Sequence, residues 1–267
     1  MTQTLPEVIN QDCLIGLQKI DSGTIDVIVT SPPYNIGKKY KSYRDNRNDY
    51  EEWMQKVAQE LRRVLHDDGS FFFNIGFTSK DPTLPFRLVQ NFCKLFALQN
   101  QIIWVKSIAI NDITYGHYKP LHSNCYLNQN FEYIFHFTKA GRTKINRLAI
   151  GVPYADKSNI KRFAHNQDRH CAGNVWFIPY ETVQSNEQRY HHPAAFPVEL
   201  PLRCIKLHGV RKGLVVLDPF AGIGTTLVAA KQLGVNAIGI EIDPHYAQIC
   251  KERVASWSPE TKSPSPK

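Results

Sequence analysis

Late in the chain an apolar run closing on an acid, Leu214-Val215-Val216-Leu217-Asp218, meets the glycine-rich turn Pro219-Phe220-Ala221-Gly222-Ile223-Gly224-Thr225-Thr226. A helical stretch, Leu227 to Leu233, follows and Gly234 stops it. A second apolar run then starts at Ala237 and closes on Glu241. Two strands joined by one helix lie parallel, and a parallel sheet buries both faces under helices. This unit therefore constrains the fold of everything before it. Glycines at the turn let the backbone approach a bound molecule closely. An acid within about twenty residues of them can accept both hydroxyls of a ribose.

The second constraint lies far upstream. Ile25-Asp26-Val27-Ile28-Val29 has the composition of a buried strand, and it breaks at Thr30-Ser31-Pro32-Pro33-Tyr34. Proline lacks an N–H and pushes the preceding residue out of the helical region, so the strand ends there. A hydroxyl, carbonyls free of ladder bonds and an aromatic ring are left at its carboxyl end. That set suits a flat ligand with polar edges, such as a nucleobase.

Between these two units the chain alternates. Helical spacing of Trp53, Val57, Leu61 and Leu65, opened by Asp49 as a candidate cap, is followed by a strand at Ser70 to Ile75. A helix near Leu84 to Leu95 precedes strands at Gln101 to Lys106 and Phe131 to Phe137, which we pair as an antiparallel hairpin with a long insertion. From Lys139 to about Gln188 the periodicity fails, basic residues recur, and only Asn174 to Pro179 reads as a strand. A helix through Leu200, Ile205 and Leu207 leads into the glycine unit, and another, His245 to Val254, closes the fold. With Leu214 to Asp218 and Ala237 to Glu241 this gives seven strands. The class is α/β: a Rossmann-like, mostly parallel seven-stranded sheet with one antiparallel hairpin and an irregular basic region.

Composition narrows the ligands and partners. The 267 residues carry a net charge of +8, which favours a polyanionic partner. No apolar run approaches the roughly 20 residues of a membrane helix, and the opening residues lack a basic segment followed by an apolar core. The expectation is a cytoplasmic protein with no membrane contact. The six cysteines include no CxxC pair and the histidines no ligand spacing, so we assign no metal. At the glycine turn a third glycine is missing where a dinucleotide's pyrophosphate would sit. Asp218 beside the turn repels pyrophosphate and attracts an ammonium. Both departures tilt the ligand from a dinucleotide toward S-adenosylmethionine.

Taken together, Thr30-Ser-Pro-Pro-Tyr34 and Asp218-Pro-Phe-Ala-Gly-Ile-Gly-Thr225 resemble the motifs of the amino-methylating DNA methyltransferases. Their order, catalytic motif first, resembles that family's beta group. His192-Pro-Ala-Ala-Phe-Pro197 is similar to the segment that precedes the cofactor motif there, and Asn10-Gln-Asp12-Cys13 to the loop that holds the cofactor's adenine. The resemblance implies methyl transfer from S-adenosylmethionine to the exocyclic amine of a base flipped from double-stranded DNA. Ser31, Pro32, Pro33 and Tyr34 would then be catalytic: Ser31 Oγ and the Pro32 carbonyl would hold the amine, and Tyr34 would stack on the base. Asp12, Cys13, Phe196, Pro197, Asp218, Pro219, Phe220, Gly222, Gly224, Thr225 and Glu241 would surround the cofactor. Serine at the head of the motif favours N4 of cytosine; N6 of adenine and a degenerate nucleic-acid-binding module are the alternatives. Lys38, Lys39, Arg44, Lys144, Lys161 and Arg162 are candidate DNA contacts. The implied division is 1–138 catalytic, 139–189 target recognition, 190–256 cofactor binding and 257–267 a disordered tail. The implied partners are DNA and a cognate restriction endonuclease, with the chain a monomer or homodimer.

Overall fold

A computed structural model describes residues 6–37, 45–117, 120–162, 166–180 and 196–258. Within them one eight-stranded sheet is built from β1 (Glu7–Asn10), β2 (Ile25–Thr30), β3 (Leu65–Ile75), β4 (Ala97–Val105), β7 (Phe131–Thr138), β8 (Val175–Phe177), β9 (Val215–Asp218) and β10 (Asn236–Glu241). The order across it is β1-β10-β9-β2-β3-β7-β4-β8. Only β7 runs against its neighbours, pairing antiparallel with both β3 and β4. The seven strands read from the sequence are present. The eighth, β1, adds beside β10 at the edge, where a four-residue run is too short to declare its period. A separate two-stranded hairpin, β5 (Ser107–Ile110) and β6 (Ile113–Gly116), fills part of the insertion before β7.

Alternation along the strands divides the core into two layers. Ile28, Phe71 and Phe73 face one layer, with Leu17 of α1 (Cys13–Gln18), Trp53 and Leu61 of α2 (Tyr50–Val64), and Leu88 of α3 (Leu84–Phe92). Val27, Val29 and Phe72 face the other, with Leu200 of α4 (Glu199–His208), Leu227 of α5 (Thr225–Gln232) and Cys250 of α6 (Pro244–Ser256). Every residue of β2 is buried, as a central strand covered on both faces requires. Asp49 stands at the N-cap of α2 but makes no capping bond; the Arg47 guanidinium two residues earlier takes its carboxylate at 3.1 Å. A charged donor outcompetes a backbone N–H for the same oxygens.

From β2 the chain crosses through α2 to β3 on one side, and from β9 it crosses through α5 to β10 on the other. β2 and β9 are themselves hydrogen-bonded neighbours, with Val27 opposite Val216 and Ile28 opposite Leu217. Their carboxyl ends therefore flank the point where strand order reverses, which is where open α/β sheets leave a crevice for ligands. Residues 139–150 return along the sheet, where the Thr143 amide donates to Gln99 Oε1 at 2.9 Å and Asn146 N to Leu207 O at 2.7 Å. Among the described residues no helix is long and apolar enough to cross a membrane, and no group of three metal-ligating side chains forms.

Candidate active site

One buried hydrogen bond joins the two motifs. Thr30 Oγ1, at the last residue of β2, donates to Asp218 Oδ1 at the end of β9 at 2.7 Å across 188 residues of sequence. Asp218 also accepts from the Phe220 amide at 3.1 Å and from Thr226 Oγ1, in the first turn of α5, at 2.7 Å. These donors clamp the glycine turn onto the strand. Burial pushes the Asp218 carboxyl up to about 6, and the three donors pull it back. Gly222 and Gly224 both have positive φ, 52° and 81°, which lets Pro219 to Thr225 fold under the pocket. A side chain at Gly224 would collide with Cys250 Sγ, so its place is in the turn, while Pro219, Phe220, Gly222 and Thr225 line the cavity.

Glu241 ends β10 across that cavity. Its Oε2 accepts from Gly222 N and its Oε1 from Asp243 N, both at 2.8 Å. Each oxygen thus keeps a lone pair for a ligand hydroxyl, and burial raises this carboxyl above its ordinary value. Asp12 caps α1 through Leu14 N at 2.8 Å and lines the same cavity beside Cys13. Burial pushes the Cys13 thiol up to about 12, which removes it as a nucleophile at neutral pH. Phe196 lines the cavity, whereas Pro197 O accepts from Leu200 N as α4 begins. Trp53 meets Phe220 edge-on at 5.6 Å and carries the Arg47 guanidinium over its ring at 4.8 Å.

Ser31, Pro32, Pro33 and Tyr34 form the adjoining wall. The Pro33 carbonyl accepts the Tyr50 hydroxyl at 2.6 Å, which ties the turn to the start of α2. Ser31 Oγ lies 2.8 Å from the Tyr34 hydroxyl, which itself reaches Glu132 Oε2 at 2.8 Å and Asn74 Oδ1 at 3.3 Å. The Tyr34 hydroxyl therefore has structural partners that a reading of its ring alone does not supply. Asn74, Glu132, Trp104 and Tyr180 were not anticipated in this cavity. Glu132 had a faint signal, as the one acid in the aromatic run Phe131 to Phe137. Tyr180 stacks on Trp104 at 5.6 Å in an otherwise irregular stretch and had none.

The basic candidates lie elsewhere. Lys144, Lys161 and Arg162 are exposed and outside the cavity, the last two on a 3-10 turn spanning Lys157–Arg162. Lys38, Lys39 and Arg44 lie outside the described residues, as do 192–195 of the segment before α4 and the tail from 259.

A glycine turn and strand-end acid facing a hydroxyl-bearing proline turn across one switch-point cavity define a nucleoside-binding α/β enzyme. The DNA methylase family matches residues 25–252, and the chain belongs to that family. It is 30% identical to the type II methyltransferase M.BglII of Bacillus subtilis, over 99% of this chain and 72% of that one. It is equally similar, at 30%, to the DNA adenine methyltransferase YhdJ of Escherichia coli (strain K12), over 92% and 82%. Among solved structures, the DNA modification methylase TTHA0409 of Thermus thermophilus, complexed with S-adenosyl-L-methionine, shares 26% identity at a TM-score of 0.65, covering 94% of this chain and 93% of that one. The cytosine-N4-specific PvuII DNA methyltransferase shares the fold at a TM-score of 0.67 and 19% identity, covering 94% and 90%.

Proposed function

We propose that the chain transfers the methyl group of S-adenosylmethionine to the exocyclic amine of a base flipped out of duplex DNA, with N4 of cytosine as the preferred acceptor. The observation that carries this reading is the Thr30–Asp218 hydrogen bond, which sets Ser31 one residue from the clamp on the glycine turn. The residues present fit the cofactor. Glu241 offers two oxygens with free lone pairs for the ribose hydroxyls. Phe220 and the exposed Ile242, directly after Glu241, offer apolar faces to a flat ring. When bound, the sulfonium supplies an electrophilic methyl carbon.

The chain's own residues deal with the amine. An exocyclic amine is a weak nucleophile because its lone pair is delocalised into the ring. Ser31 Oγ and the Pro32 carbonyl would each accept one of its hydrogens, aligning the lone pair on the methyl carbon and favouring a tetrahedral nitrogen. The face of Tyr34 would support the ring. Exposed Lys144, Lys161 and Arg162 would meet phosphates.

Serine at the head of the motif favours cytosine. The similarity to a DNA adenine methyltransferase favours N6 of adenine as the second reading. The relatives' type II designation supports a restriction-modification setting with a cognate endonuclease. Incubation with duplex DNA and S-adenosylmethionine carrying a labelled methyl, then digestion to nucleosides and mass analysis, identifies the base. Label on N4 of cytosine, lost in Ser31→Ala, is expected. Label on adenine overturns the preference, and transfer undiminished in Ser31→Ala overturns the assignment of that side chain.

A further inference from the structure

Glu132 stands outside both sequence motifs, at the start of β7, yet its carboxylate reaches Ser31 through a single intermediate. Its Oε2 accepts from the Tyr34 hydroxyl at 2.8 Å and from Asn74 Nδ2 at 3.1 Å, and its Oε1 pairs with Lys106 Nζ at 3.0 Å. The Lys106 and Glu132 side chains are only 15% and 13% exposed, so water screens this pair poorly. Asn74 Nδ2 also donates to the Tyr133 carbonyl at 3.1 Å, which fixes its amide with the oxygen toward Tyr34.

The phenol has one proton, and both Glu132 Oε2 and Asn74 Oδ1 can only accept. Burial and the neighbouring Glu132 charge push the Tyr34 phenol well above its ordinary value, so it keeps that proton and donates it. In the 2.8 Å contact with Ser31 the serine is then the donor. Ser31 Oγ is left with lone pairs toward the cavity and no proton to offer. Packing around the pair is tight: a Cβ at Gly76 would lie 2.8 Å from Tyr34 Cε2 and 3.3 Å from Glu132 Cγ, so the Tyr34 ring would have to shift.

We propose that Glu132 is a positioning residue for methyl transfer: it sets the direction of the Ser31–Tyr34 chain, so that Ser31 Oγ accepts from the target amine, and it receives the proton that amine sheds. This rests on the function proposed above. As the N–C bond forms and the S–C bond breaks, the base nitrogen becomes cationic. One N–H proton passes to Ser31 Oγ, the Ser31 proton passes to Tyr34 Oη, and the Tyr34 proton passes to Glu132 Oε2. Both hydroxyls end with one proton each, Glu132 ends neutral, and no oxidation occurs. Loss of that proton to water, with rotation of the two hydroxyls back toward Glu132, restores the chain.

The test is single-turnover methyl transfer to duplex DNA by the wild type, Glu132→Gln, Glu132→Asp, Tyr34→Phe and the Glu132→Gln/Tyr34→Phe pair, with S-adenosylmethionine affinity measured by calorimetry. Glu132→Gln is expected to slow transfer roughly 10²-fold with unchanged cofactor affinity, as loss of a proton acceptor does. It should add nothing to the loss in Tyr34→Phe, because residues acting as a unit are not additive. Glu132→Asp, which keeps the carboxylate, should recover part of the rate. A Glu132→Gln enzyme as fast as wild type overturns the proposal, as do losses that multiply in the pair or an aspartate no better than glutamine. A wild type that moves no methyl to DNA removes the proposed function as well; normal wild-type transfer with a normal Glu132→Gln removes only the role of Glu132.

Discussion

Replacing Thr30 by valine deletes one hydroxyl and little else, because the two side chains are nearly the same shape. Thr30 is 1% exposed and Asp218 2%, so no water replaces the lost 2.7 Å bond. A hydrogen bond to a charged group contributes about 1.5–3 kcal/mol, against roughly 0.5–1.5 kcal/mol between neutral groups. Asp218 titrates near 6 in the fold and near 3.8 when unperturbed, so its ionised form is disfavoured by folding. Stability carried by this group is therefore present at low pH and falls as pH rises from 3.8 through 6. Without Thr30 as donor the folded value moves higher still, and the penalty at high pH grows. Thr30→Val should lose about 2 kcal/mol at pH 8, a melting-point drop of roughly 4–8 °C for a chain of this size. At pH 5, where Asp218 is protonated in both proteins, the loss should fall to the neutral-bond value of about 1 kcal/mol. Urea unfolding at both pH values measures this directly. Equal losses at pH 8 and pH 5, or none at pH 8, would refute the assignment of this bond as a charge-assisted clamp.

Two further outcomes follow from the same geometry. Glu241→Gln must turn an NH₂ toward the amide of Gly222 or Asp243, so S-adenosylmethionine affinity by calorimetry should fall at least 10-fold, about 1.4 kcal/mol; an unchanged Kd would remove Glu241 from the cofactor site. His136 is buried against Phe72 and joined to Ser70 Oγ at 3.0 Å, and burial holds it down to about 3 from 6.5. Because its folded value is depressed, the stability it carries is complete above 6.5 and is lost as pH falls toward 3, about 2 kcal/mol of it by pH 5. The drop in unfolding free energy from pH 7.5 to pH 5 should be smaller by that amount in His136→Gln, whatever the variant's starting stability, and an identical drop would contradict the assignment.

The parts of this fold that could be read in the sequence are those whose physics is local. β2 is a continuous buried run, α2 shows its stripe at helical spacing, and the turn at Gly222 and Gly224 needs residues that tolerate positive φ. The adjacency of β2 and β9 followed from parallel pairing and strand order rather than from any residue at their contact. β1 escaped notice because its four residues are half exposed at an edge and show neither an apolar run nor a clean alternation. The β5–β6 hairpin turns on Asn111 and Asp112, both at positive φ, a pair without the glycine that marks such turns most strongly.

Glu132, Asn74, Trp104 and Tyr180 share a different reason for being missed. Each reaches the cavity from a separate segment, and no spacing in the chain encodes a meeting of strand ends that tertiary pairing alone creates. This bears on the choice of base. A serine hydroxyl would read cytosine directly only if it both accepted an amine hydrogen and donated to the adjacent ring nitrogen. A serine has one proton, and in the chain proposed above it points to Tyr34. Ser31 can then hold the amine but cannot read the ring nitrogen, a group shared by cytosine and adenine in any case. Tyr180 and Trp104, a stacked pair that lies in neither motif, line the same cavity as Tyr34, and their bulk would limit the room left for a two-ring base. Substitution of Tyr180 should therefore move the ratio of labelled cytosine to labelled adenine more than substitution of Ser31, and an unchanged ratio in Tyr180→Ala would refute this.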